Sequence, residues 1–228
     1  MHELFDNIFW HTLTGPQARF AAGAGGARRY VAGCSPIIGF ADQQRPDFTA
    51  LAPYCEADEH FYTEGWSGPV PAGWRLDAET TMVKMVWDAP MPGPDVAGEP
   101  IATLGPAHVQ RAVDLAALTR PGPFGPRTPE LGVYIGCLDG ERLMAMAGER
   151  ANAGTLREIS GVCTHPDVQG RGLARRLMLR LIREQLQRGE TPVLHVMKIN
   201  ENAHGLYRSM GFRDHRETVV RVVTKMDA

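Results

Sequence analysis

Three sets of residues in this chain have types and spacing suited to chemistry, and the clearest is the run Gln169-Gly-Arg-Gly-Leu-Ala-Arg175. It follows an apolar, strand-like stretch and opens a segment with helical spacing. Its backbone N–H groups therefore stand at a helix mouth, where the first donors lack intrahelical partners and the helix dipole adds about half a positive charge. Gly170 and Gly172 allow a tight turn and close approach to a ligand, while Arg171 and Arg175 bring cations. That is the chemistry of phosphate capture. The second candidate is Tyr207, a potential proton donor with an ordinary pKa of about 10. The third is Glu158: a carboxylate on a half-buried strand is expected to have a raised pKa, which suits a general base.

Positioning these groups requires a strand into the loop and a helix out of it. The pattern predicts strands over 132–138 and 142–150 joined by a hairpin turn at Asp139-Gly140, then a strand over 155–164. Leu173 to Arg188 is apolar at 173, 174, 177, 178, 181, 182 and 186, an amphipathic helix stopped by Gly189. Val193–Met197 reads as a further strand. Residues 107–119 have helical spacing, broken by Arg120-Pro-Gly-Pro-Phe-Gly-Pro126. Upstream, 30–40 suits short strands, 48–62 a helix and 80–87 a strand. Residues 88–100 cannot hold a helix or a central strand. The expected division is an N-terminal α+β region, 1–90, a Pro/Gly linker, 91–99, and a catalytic domain, 100–228. The expected fold class is α+β, a mixed and mostly antiparallel sheet with flanking helices.

Three phosphate-binding patterns compete for the glycine loop. A P-loop needs Lys and a hydroxyl after its last glycine, and this loop has neither. A dinucleotide fingerprint counted from Gly170 places Arg175 where helix and strand must pack closely, and no acid follows 193–197. The third, Q/R-x-x-G-x-G/A, is met by Gln169, Gly172 and Ala174. A strand, 193–197, then follows with Asn200, Leu206-Tyr207 and Met210-Gly-Phe212 in order. Here the chain resembles the GNAT superfamily of N-acetyltransferases, over roughly residues 98–225, within the size of one domain. Its layout is similar to the glycine N-acyltransferase-like branch, in which a smaller, degenerate copy of the fold precedes the catalytic one.

The resemblance implies acetyl-CoA as cosubstrate, with its pyrophosphate on Gln169, Gly170, Arg171, Gly172, Leu173, Ala174 and Arg175. It implies that backbone groups of Val162, Cys163 and Thr164 pair with pantetheine, an N–H there steadying the oxyanion, and that Asn200 touches the pantetheine arm. Tyr207 would face the sulfur and donate to a thiolate whose acid has a pKa of about 8.5. Glu158 stands eleven positions before Gln169, the offset of the catalytic glutamate in histone-modifying members. The loop 120–126 would border the acceptor pocket. The reaction implied is transfer of an acetyl or short acyl group to a primary amine of a small molecule or amino acid, by direct attack in a ternary complex. Which amine, which acyl chain, and whether Glu158 or ordered water is the base stay open. A non-catalytic acyl-CoA-binding module is the alternative, disfavoured because a binder needs neither Tyr207 nor Glu158. The region before the linker is expected to wall the acceptor side, or else to cover apolar surface or form a homodimer contact.

Other residues have plainer readings. His165-Pro166 reads as a turn, and His195, in an apolar strand, as a core or pocket-lining residue rather than a ligand. Gly65-Trp-Ser-Gly68 lacks the last glycine of a nucleophile elbow. Glu56, Glu59 and His60 read as a solvated helix face, so no metal is expected. The chain has 228 residues, 43% of them hydrophobic, and a net charge of −2, enough apolar matter for a sizeable core and no field that attracts nucleic acid. Its four widely spaced cysteines suggest reduced thiols. Neither a signal peptide nor a membrane-length apolar run is visible, so a cytoplasmic address is the default.

Overall fold

The computed structural model describes residues 2–94, 98 and 100–227; of the expected linker, 95–97 and 99 lie outside the described residues. Two short helices, α1 (His2–Asp6) and α2 (Ile8–Thr14), lead into a three-stranded sheet of β1 (Ala21–Ala22), β2 (Ala27–Tyr30) and β3 (Ile38–Phe40). After α3 (Phe48–Leu51) come β4 (His60–Glu64), β5 (Trp74–Trp87), β6 (Ile101–Thr103), α4 (Val109–Thr119), β7 (Tyr134–Asp139), β8 (Arg142–Asn152) and β9 (Leu156–Thr164). The chain ends with α5 (Leu173–Gln187), β10 (Thr191–Met197), α6 (Glu201–Met210) and β11 (Phe212–Lys225). Strands β4 to β11 form one sheet in the order β4-β11-β5-β10-β9-β8-β7-β6. It is antiparallel except where β10 meets β9.

The two-residue period of β5 explains how the sheet is covered on both faces. Val83, Met85 and Trp87 pack into a core with Leu177, Met178, Leu181 and Ile182 of α5, whereas Val86 faces Phe5, Ile8, Phe9 and Leu13 of the N-terminal helices. Alternation along a pleated strand requires that division. On α5 the buried positions recur at helical spacing and the arginines take the other side. Arg188 caps the helix after Gln187, and Gly189, at φ +75°, adopts the left-handed turn that glycine tolerates.

Strands β4 and β5 precede the proline-rich stretch and β6 to β11 follow it, so the expected N-terminal region and catalytic domain share one sheet. Gln17 ties them further: its buried amide donates to the carbonyls of Leu131 and Arg150, each at 2.8 Å. The helix expected over 48–62 is corrected. Only Phe48–Leu51 is α-helical, a 3-10 turn follows at Ala52–Tyr54, and His60–Glu64 joins the sheet edge. Pro53 has no N–H to continue the ladder, and Asp58 sits at φ +60°. Glu56, Glu59 and His60 therefore share no helix face, and Glu59 instead pairs with Arg29. Among the described residues, no helix is long and apolar enough to cross a membrane.

Candidate active site

The parallel pair β9–β10 holds together over only three positions, Leu156 with Thr191, Arg157 with Pro192 and Glu158 with Val193. Beyond Glu158 the two strands part. A cavity of about 440 Å³ fills the gap, lined by Ile159–Val162 on one strand and Leu194–Met197 on the other. Asn200, which precedes α6, and Ala203 and Tyr207 on that helix close one end. Phe9, Tyr62, Glu64 and Met82 close the other, with Arg120–Pro123 at the side. Strand backbone that would otherwise bond its neighbour thus faces an opening, and such groups require partners.

A bulge aims that backbone. Two steps along β8, Met146 to Gly148, match three along β9, Cys163 to Ser160, so β9 carries an extra residue beside the cavity. Gly161 lies there at φ +63°, and a Cβ on it would stand 3.0 Å from the Tyr134 ring. Val162 lines the cavity. Cys163 turns away into the core beneath α4, and burial pushes its thiol up to about 11.

The glycine loop forms as its composition demands. His165 caps a 3-10 turn, Pro166–Val168, accepting from the Asp167 N–H, and Gly170 and Gly172 then adopt φ +79° and +77°. The first intrahelical bond of α5 runs from the Arg176 N–H to the Gly172 carbonyl at 3.0 Å, so the amides of Leu173, Ala174 and Arg175 precede it. Gln169, Arg171 and Arg175 are exposed, while the Leu173 side chain is buried in the core and offers a ligand only its backbone. Alongside, a cavity of about 660 Å³ lies between Pro92–Pro94 and the Gly172, Arg175, Arg176, Arg180 and Arg183 face of α5, a basic surface continuous with the loop.

The expected rise in the pKa of Glu158 is reversed. Its carboxylate is 1% exposed and accepts two bonds from the Arg150 guanidinium, at 2.6 and 3.0 Å, and one from His195 Nδ1 at 2.7 Å. Burial alone would raise its pKa, but Arg150 and then His195 outweigh it and hold the carboxyl far below the usual range. A carboxylate so committed is a poor proton acceptor. Tyr207 also departs from its ordinary value, pushed up to about 12 by burial and then by Cys163. Asn200 caps α6, its side chain accepting from the Ala203 N–H at 3.2 Å, and borders the cavity.

Sequence reading did not single out Arg150, Lys84 or Glu64, all of which line the cavity or pair with residues that do. Lys84 is 1% exposed and bonds Glu64 at 2.6 Å. The available signal was a lone charge inside an apolar run, as in Met82-Val-Lys-Met-Val86: a charge forced into a buried strand must find a counter-charge.

Comparison with known proteins bears on the fold and the family. Residues 134–222 match the family model described as FR47-like protein. A solved protein of the GNAT acetyltransferase family from Novosphingobium aromaticivorans is 34% identical, with 97% of this chain and 98% of that one covered and a TM-score of 0.86. A GCN5-related N-acetyltransferase from Kribbella flavida shares the fold at 15% identity, with 100% and 96% covered and a TM-score of 0.63. A GCN5-related N-acetyltransferase-like protein from Streptococcus suis does so at 16% identity, with 96% of each chain covered and a TM-score of 0.60. No curated protein matches the chain. With a solved relative 34% identical over nearly its whole length, the chain belongs to the GNAT family of acetyltransferases.

Proposed function

We propose that the protein transfers an acetyl or other short acyl group from acyl-CoA to a primary amine of a small molecule or amino acid, by direct attack in a ternary complex. The observation that carries this reading is one cavity where the unpaired β9 backbone, Tyr207 and the 120–123 loop converge. The loop amides and Arg171, which lie outside that cavity, hold the pyrophosphate, and the backbone of Val162 to Thr164, on the strand that leads from the cavity to the loop, pairs with pantetheine. A β9 N–H steadies the oxyanion. The acceptor enters from the side walled by Tyr62, Glu64 and Met82, residues that precede the proline-rich stretch.

Tyr207 serves the leaving sulfur as a hydrogen-bond donor rather than by giving up its proton outright. Its hydroxyl, at about 12, is a weaker acid than a thiol of about 8.5, so full transfer would cost roughly 5 kcal/mol. A hydrogen bond from the hydroxyl to developing thiolate carries no such penalty.

A calorimetric titration tests the loop assignment. Arg171→Glu is expected to weaken acetyl-CoA by about tenfold or more, since hydrogen bonds to charged groups contribute roughly 1.5–3 kcal/mol. Equal affinity in parent and variant would remove Arg171 from the site.

A further inference from the structure

The charged cluster beneath the cavity contains an asymmetry. Lys84 Nζ has three protons, and they go to the Phe5 carbonyl at 2.8 Å, the Asp6 carbonyl at 3.0 Å and Glu64 Oε1 at 2.6 Å. None remains for Glu64 Oε2. His195 Nδ1 lies 2.7 Å from Glu158 Oε1, a carboxylate held ionised, so the proton of that bond belongs to the imidazole. In the neutral ring Nε2 is then a bare acceptor. Among the described residues, His195 Nε2 and Glu64 Oε2 are both buried without a hydrogen-bond partner. They stand 3.8 Å apart. Two acceptors that close, each lacking a donor, are costly to bury.

The charges say what is missing. Arg150 and Lys84 balance Glu158 and Glu64, so the cluster is neutral with a neutral His195. The rings of Phe9 and Phe5, at 5.4 and 5.6 Å, confine the imidazole. The groups around it are Glu158 on β9, Lys84 opposite it on β5, Glu64 on β4 and Arg150 on β8, with the Asp6–His215 pair behind Phe5. No other element supplies a donor to the two open atoms among the described residues. A group with several N–H donors and one positive charge satisfies both.

We propose that His195 is the general base and that Glu64 anchors the acceptor as a primary alkylammonium, with Glu158 a positioning residue that fixes the imidazole tautomer. This deepens the acyl-transfer reading and rests on it. The ammonium gives one proton to Nε2. The freed lone pair forms the N–C bond at the thioester carbonyl, and the C–S bond breaks as the tetrahedral adduct collapses. Of the three ammonium protons one stays on the amide, one passes to the sulfur and one leaves through His195.

Two measurements test this. In histidine-labelled parent protein, nitrogen-detected NMR should show His195 protonated at Nδ1 near neutral pH. Methylammonium should move the Nε2 resonance, tetramethylammonium, which has no N–H, should not, and Glu64→Gln should abolish the response. A proton on Nε2, or indifference to methylammonium, overturns the assignment without reference to any variant's folding. In turnover, His195→Gln should lower kcat/KM by about 100-fold and remove its acidic limb, with acetyl-CoA affinity unchanged. An acidic limb that persists in His195→Gln defeats this proposal and leaves acyl transfer standing. If no amine is turned over, the acyl-transfer reading fails with the base assignment, and NMR still decides the ammonium site.

Discussion

Glu158→Gln is expected to destabilise the fold by about 3–5 kcal/mol, the usual result of removing one partner from a buried ion pair. Arg150 would keep its charge in the interior with only a neutral amide against it, and the Nδ1–H of His195 would lose its carboxylate acceptor. Thermal or denaturant unfolding measures the loss, and a variant as stable as the parent would show that the pair is not a tight buried one. The sign of the pH dependence follows. A carboxyl whose folded pKa is depressed adds stability above its unfolded value, about 4.3, and loses it as pH falls towards the folded value. The parent should therefore weaken in acid below about pH 4.3, and Glu158→Gln should remove that portion of the dependence.

Tyr207→Phe is expected to lower kcat by about 100-fold while sparing acetyl-CoA affinity, because what is removed is one preorganised hydrogen-bond donor to the charge developing on the departing sulfur. The ring keeps its edge contact with Phe212 at 6.2 Å, so the melting temperature should hardly move. Since burial lifts this hydroxyl to about 12, it keeps its proton throughout the working range. Any basic limb with a midpoint near 10 in the parent then belongs to another group. An unchanged kcat, with chemistry shown to limit the rate, would reduce Tyr207 to a packing residue.

Local patterns were legible where local physics decides. The glycine loop, α4, α5 and the strands from β7 to β10 lie within a few residues of their expected places, because turn chemistry and apolar period act over short distances. The N-terminal helices and β11 were not read. β11 mixes Arg213, Asp214, Arg216 and Glu217 with apolar residues, and it becomes a strand by pairing β5 on one side and β4 on the other. That long-range pairing has no local signature. The same blindness applied to the site: Glu158 could be placed on its strand, but its charge state depends on Arg150 and His195, which only the sheet brings to it. His195 reads as a core or pocket-lining residue, and it borders the cavity, yet nothing in its own strand announces the carboxylates on either side.

Amine-dependent thiol release tests the central claim most directly. With acetyl-CoA and a panel of amino acids, polyamines, aminoglycosides and peptides, free thiol should appear faster with at least one primary amine than without. Double-reciprocal plots for that amine should intersect, as direct attack in a ternary complex requires, and the product should be its N-acetyl derivative. Binding of acetyl-CoA with no amine-dependent release across the panel would contradict the account and favour a module that binds the cosubstrate without transferring its acyl group.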